Sequence, residues 1–356
     1  MTRTRTAPPT TVDLGRASWT WRRLGLAYLI DRRTVMVCCA LLAAVLALGV
    51  LTLGTGSRSL TAGQVLTALF DPDSDPRNRL VVVTWRLPRL LLALLCGAAL
   101  AISGAIFQSL TKNPLGSPDV IGFSAGSYAG ATVVLVLIGA TDYLSVAAGS
   151  LIGGAITAFV VYVLAYRDGL QPFRLIIVGI AVGAGLGSLT SMLLLSVNAK
   201  QAMLAATWAA GSLSGLGFEQ FRPAAVVFAL LLVCAVFVVR PLTHLEMGDD
   251  TALALGVRGG RTRLAATVVG VSLTALVTAA VGPIAFVALA APQIAQRLTR
   301  SSTTLRLAPV ALTGALVLVA ADYVAQRIDL PVGVVTVSVG GLYLAWLLAG
   351  QYARRR

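Results

Sequence analysis

The sequence predicts an all-α integral membrane protein of about ten transmembrane helices, and three observations carry that reading. Hydrophobic residues fill 57% of the 356 positions and charged residues only 12%, too little polar surface to cover a water-soluble globule of this size. The chain divides into ten nearly uncharged stretches, most of them near the roughly 20 residues that a helix needs to cross about 30 Å of hydrocarbon. The remaining charges are sorted by side. With both termini inside, twenty of the 28 Lys and Arg residues fall on inner segments and eight on outer ones, and the acids divide evenly, giving +13 inside and +1 outside. That asymmetry satisfies the positive-inside rule, so the net charge of +14 reflects topology and not nucleic-acid binding.

Residues 1–34 form a basic cytoplasmic tail, rich in Thr, Pro and Arg at first and then carrying Trp19, Trp21 and Tyr28 among basic residues. It reads as a flexible tail leading into an interfacial segment. The first span, 35–53, follows Arg32 and Arg33 and exceeds a usual signal-peptide apolar region, so it is expected to stay uncleaved. The outer loop 54–85 holds a helical pattern at Thr61–Phe70 and an acidic turn, DPDSDP, at 71–76. The second span, 89–110, has unusual ends. Arg86 and Arg89 flank Pro88 at its entrance, while Asn113, Pro114, Gly116 and Pro118 forbid a simple helical continuation at its exit.

Spans 119–139, 143–165 and 173–197 follow. Gly126 and Gly130, then Gly179, Gly183 and Gly187, have the four-residue spacing of small residues that lets helices pack closely. They are candidates for helix packing and pathway lining. After a short outer segment with Trp208, Gly211 and Ser212 comes the span 223–239, and then the inner loop 241–263. Its core, GDDTALALGV, predicts a short helix with Asp249 or Asp250 in the first turn and Gly256 as the stop. Spans 264–281, 283–297, 307–321 and 333–350 complete a single transmembrane domain, 35–350, before a basic cytoplasmic tail, 351–356. No internal repeat is visible, although ten spans leave room for an inverted pair of five.

Several chemistries are excluded. Lys112 and Lys200 are the only lysines and neither follows glycine, so there is no phosphate-binding loop of the Gly-x-x-x-x-Gly-Lys type. His244 is the only histidine and has no ligand-type neighbours in sequence, so no metal site is expected. The spans hold no nucleophile with a base, which argues against an enzyme. Cys38, Cys39, Cys96 and Cys234 read as small apolar packers. Asp142 and Asp322, at span ends, read as solvated boundary residues. With the spans nearly free of ionisable groups, the energy for any transport is expected to come from a partner rather than from a coupled ion.

RLPR, GAALAISGAIFQSL, NPLGSPDVIG, GDDTALALGV, GPIAFVALAAPQIAQRL and LPVGVVTVSVGG stand in an order and spacing that resembles the FecCD family. These are the membrane-spanning permeases of type II ABC importers for iron-siderophores, haem or vitamin B12. The resemblance implies that permease fold, alternating access, and no cofactor of the chain's own, ATP being bound by a partner. It also implies a second permease subunit in a homo- or heterodimer (the latter favoured), two ATPase subunits, a substrate-binding protein, and the inner membrane with both termini cytoplasmic. An iron(III)-siderophore is the expected cargo and vitamin B12 or haem the alternative. Carried over by resemblance, Arg86, Arg89 and Arg327 dock the binding protein, and Asn113, Pro114 and Leu115 form the cytoplasmic gate. Asp249, Asp250, Thr251, Ala252, Leu255 and Gly256 form the helix that couples to the ATPase. The chain departs from the family pattern at Gln293 and Gln296, where His and Arg are common, and at GGLYLAW, so those roles are not carried over; the departures suggest a specialised member of a heterodimeric pair.

Overall fold

The structure is a computed structural model that describes residues 18–23, 26–56, 58–71, 74–119, 121–166, 172–301 and 303–353. Most of the expected flexible tail, Pro72 and Asp73 of the acidic turn, the inner Arg167, and Arg354 to Arg356 lie outside them. The described part of the tail is not featureless. Ser18–Arg23 (β1) and Leu26–Asp31 (β2) pair antiparallel, with Trp21 opposite Tyr28. Aromatic and β-branched residues alternate in SWTWRR, a pattern that favours a paired strand over coil.

All other described elements are helical. Asp31 caps α1 (Arg32–Gly54) by accepting from Arg33 N–H at 3.0 Å. Its carboxylate also meets Arg306 at 3.3 Å, which ties the start of α1 to the start of α13. α2 (Ala62–Phe70) forms where the helical pattern at Thr61–Phe70 predicts it, and a complete capping box between Thr61 and Gln64 starts it. The next helix starts earlier than the span boundary suggests. α3 (Pro76–Arg79) runs through a π-helical stretch, Leu80–Arg86, into α4 (Leu87–Thr111) without interruption. Proline removes one N–H and crowds the carbonyl four residues back; a π turn just before Pro88 widens the ladder where that conflict would fall.

α5 (Phe123–Val133) passes into a second π stretch, Val134–Ile138. α6 (Tyr143–Ala165) is capped by the exposed Asp142, as expected for a boundary residue. α7 (Pro172–Leu195) and a helix that the sequence did not suggest, α8 (Ala199–Ala209), come next. α9 (Phe218–Glu246) overruns its expected span at both ends, so His244 lies on its last turn and not in a loop. Arg222 and Arg240 had set those limits, but a long basic side chain can reach an interface without ending a helix. α10 (Asp249–Ala254), α11 (Gly259–Val281), α12 (Val287–Thr299), α13 (Leu307–Ile328) and α14 (Val332–Ala353) complete the fold.

Each expected span therefore coincides with a helix. Among the described residues seven helices are long and apolar enough to cross a membrane on their own; α5 and α12 are shorter because non-helical backbone takes the first part of each expected span. α4 is the axis, buried along most of its length among α9, α11, α12 and α13. Small residues make this possible. A Cβ at Gly97 would strike the Gly314 carbonyl, and one at Gly104 the Ala288 carbonyl. Ser103 donates to the Gly270 carbonyl at 2.7 Å, a polar tie between α4 and α11.

Candidate functional site

Where the start of α4 meets the end of α13, the three arginines expected to dock a binding protein fall into different environments. Arg86 donates to the carbonyls of Leu53 at 2.7 Å and Arg58 at 2.6 Å, clasping the end of α1 to the outer loop. Arg89 grips Asp322 of α13 with two nitrogens, Nη2 to Oδ1 at 2.8 Å and Nε to Oδ2 at 3.1 Å. Gln326 donates to the same carboxylate at 2.8 Å. Asp322 is 0% exposed, which corrects its reading as a solvated boundary residue. The aspartate faces the bundle, and its charge is tolerated there because a guanidinium and an amide complete its hydrogen bonds. Arg327, one turn on, is exposed and lies over the Tyr323 ring at 4.8 Å, within cation–π range. Tyr323, Gln326 and Arg327 wall an outer cavity with Gly54, Thr55 and Ser59.

The C-terminal end of α4 closes on amides. Lys112 ends the helix in the left-handed region at φ 48, as Arg300 ends α12. A cation at a helix C-terminus is favoured by the macrodipole, which offsets part of the strain. Asn113 Oδ1 accepts from Leu115 N–H at 2.9 Å, and that turn leads the chain off the helix axis. Asn113 and Pro114 face a cavity of about 330 Å³ that is also lined by Gln108, Ser109, Gln293 and Gln296. Gln293 donates to Gln108 Oε1 at 2.7 Å, and Gln108 donates to the Leu289 carbonyl at 2.9 Å. The two positions that depart from the family pattern thus stand beside the expected gate loop, with Gln293 in a buried amide chain joining α4 to α12.

Between these ends lie two breaks in helix, 112–122 and 282–286. Phe123, just after the first, packs its ring 5.6 Å from that of Phe107. Ala288, just after the second, touches Gly104. Both breaks therefore sit beside the last third of α4, about one to two helical turns from its inner end. Asp119 stands in the first break. Its Oδ1 accepts from Ser124 at 2.5 Å, while Oδ2 is buried with no hydrogen-bond partner. Phe286, in the second, has φ 68, a conformation that costs a non-glycine residue roughly 1–3 kcal/mol.

α10 forms where the sequence predicts a short helix. Asp249, Asp250, Thr251, Leu255 and Gly256 are exposed, Ala252 is buried against the body, and Gly256 has φ 81. Two hydrogen bonds from Arg263, at 2.6 and 2.8 Å, hold the Asp249 carboxyl below its ordinary range. The glycines divide. Gly126 and Gly130 are sealed in the seam between α5 and α6, and Gly179 and Gly183 press on Ile121 and Gly122 at the first break, while Gly187 faces open space.

Sequence reasoning did not single out Asp119, Gln108 or Phe286. Asp119 had a signal, being the only charged residue between Lys112 and Asp142. Phe286 had none, because its backbone angle is a product of tertiary packing.

Comparison with known proteins fits this geometry. A model of the FecCD transport family matches residues 41–350. The ferric enterobactin transport system permease protein FepG of Escherichia coli K12 is 48% identical over 92% of the chain and 99% of its own length. The achromobactin transport system permease protein CbrC of Dickeya dadantii is 34% identical over 93% and 96%. A solved structure described as an inward-facing metal-chelate type ABC transporter superposes with a TM-score of 0.76 at 24% identity, covering 89% of this chain and 99% of the other, a likeness of fold.

Proposed function

The chain belongs to the FecCD transport family, and on that premise we propose that it is the permease subunit of an ATP-driven importer that carries an iron(III)-siderophore across the cytoplasmic membrane. The observation that carries the cargo is the 48% identity to a ferric enterobactin permease along 92% of the chain. Ferric enterobactin is therefore the first cargo to test. A strain lacking this chain should lose growth on that chelate as sole iron source and regain it on complementation; undiminished growth would overturn the assignment.

Division of labour follows from what the chain lacks. Without a phosphate-binding loop it cannot hydrolyse ATP by that route, so two separate ATPase subunits supply the energy. α10, with its exposed Leu253 and Leu255 beside Asp249 and Asp250, is the surface we assign to them. The outer cavity edged by Arg327 and the clasp formed by Arg86 receive the acidic groups of a substrate-binding protein. Arg89 contributes by holding α13 in place and offers only the edge that Asp322 leaves unused. Asn113, Pro114 and Leu115 close the inner end, and a second permease subunit completes the path, a heterodimer being favoured. Both termini are cytoplasmic on the charge count.

A further inference from the structure

The contact between α4 and α12 changes character along its length. Pro292 lies inside α12 and has no N–H to give the carbonyl four residues back, which is that of Ala288. α4 meets this gap with Gly104, whose lack of a side chain lets the Ala288 carbonyl approach its backbone. One turn further along α4 the contact becomes polar. Gln108 donates to the Leu289 carbonyl at 2.9 Å and accepts from the Gln293 side chain at 2.7 Å, so a single amide holds two positions one turn apart on α12. Both glutamines are buried, at 3% and 8% exposed.

Gln108 also carries the turn that follows it. Its carbonyl accepts from Asn113 N–H at 3.2 Å, and the Ser109 carbonyl accepts from Lys112 N–H at 3.2 Å, the two bonds by which a helix closes on a left-handed residue. The side chain of Gln108 therefore grips α12 while its main chain anchors the first residue of the segment 113–115.

We propose that Gln108 and Gln293 are positioning residues of the transport cycle, a polar latch that holds the C-terminal end of α4 closed on α12 and parts when the gate opens. A permanent seam needs no amides: α4 closes on α13 at Gly97 and Gly314 through glycine alone. Amides differ in what opening costs. In water each regains the hydrogen bonds that it gives up, so the net preference for the closed pair is small. The surroundings suit that exchange. The cavity of about 330 Å³ beside the pair is also lined by Ser109, Asn113 and Gln296, and the Ser109 hydroxyl is buried without a hydrogen-bond partner. Parting the helices there would expose polar groups on both walls. The transport role rests on the permease reading and on the gate assigned to 113–115; the latch between the two helices does not.

Alkylation of Ser109→Cys tests the latch and needs no cargo. With the full chain in lipid nanodiscs, the rate of maleimide labelling is localised to residue 109 by fragment mass spectrometry, which keeps it apart from Cys96 on the same helix. Gln293→Met keeps the side-chain length and removes the donor. It should raise the labelling rate about tenfold, the shift expected when one net hydrogen bond holds the closed state; an unchanged rate would overturn the proposal. Gln293→Asn draws the amide back by one methylene group and should act in the same direction, so it decides the matter if the methionine variant fails to insert. Gln108→Met combined with Gln293→Met separates a latch from a brace. With both amides replaced by apolar side chains the seam should stay shut, so labelling should fall below that of Ser109→Cys alone and uptake should drop severalfold at equal membrane abundance. If the double substitution instead restores labelling and uptake to their unsubstituted levels, the pair only braces the fold and the proposal is wrong. Failure of the unsubstituted chain to transport would count against the permease reading alone, because the labelling result stands without it.

Discussion

Truncating Arg89 would strand the charge of Asp322, a residue with no exposed surface, inside the bundle. Breaking a buried pair from one side costs about 3–5 kcal/mol, and the lower end applies because the Arg89 side chain is 21% exposed. We expect Arg89→Ala to lower the detergent melting temperature sharply, and Arg89→Leu with Asp322→Leu to lose less than Arg89→Ala alone. Charge reversal at Arg89 would report on folding rather than docking, because it would set two carboxylates together. Arg327 is the cleaner probe of docking. It is exposed and stacks on Tyr323, so Arg327→Glu should reduce binding-protein-dependent uptake severalfold with membrane abundance unchanged. The pair of Asp249 and Arg263 gives a pH prediction. Since the folded state depresses the Asp249 pKa, its contribution is present above the unfolded value, near 4, and vanishes as pH falls through the lower folded value. On a surface this exposed it is worth about 0.2–1 kcal/mol, so Asp249→Asn should cost that much at pH 7 and nothing at the acid end.

At the scale of elements, the glycines sort themselves by what a methyl group would meet. Gly104→Ala drives a Cβ into the Ala288 backbone; overpacking of this kind costs about 1–3 kcal/mol or more, and the α4–α12 contact should loosen. Gly187→Ala meets nothing and gains helix propensity of up to about 1 kcal/mol, so thermal unfolding should be unchanged or raised. The two share a sequence signal and differ only in a neighbour far along the chain. The same distinction separates what the sequence reveals from what it conceals. Spans are legible because lipid demands long apolar runs, and α2 and α10 because their caps are local: Thr61 with Gln64, and Gly256 at φ 81. The start of α4 is not legible, since the π stretch before Pro88 keeps an apolar sequence helical where proline suggested a boundary. The break after α4 is announced by Asn113, Pro114, Gly116 and Pro118, but its far edge at Gly122 is not, and the break at 282–286 is hidden because GPIAF is apolar throughout. Asp322 looked solvated because its partner, Arg89, is 233 positions away.

For the whole molecule, the proposed function gives α4 the role of an axis, with the proposed docking surface at one end and the proposed gate at the other, and gives α10 the role of a handle for the ATPase. Gly256→Pro should separate those ends functionally. Proline cannot adopt φ 81, so the turn after α10 would be rebuilt, and ATP hydrolysis should continue without responding to the loaded binding protein. Uptake in reconstituted vesicles tests the central claim most directly. The chain, its companion permease, the ATPase subunits and the binding protein would be presented with radio-iron-labelled ferric enterobactin. ATP inside the ATPase-facing compartment should drive accumulation, and omitting either ATP or the binding protein should reduce it to the leak rate. Accumulation that instead followed a proton gradient without ATP would contradict the account.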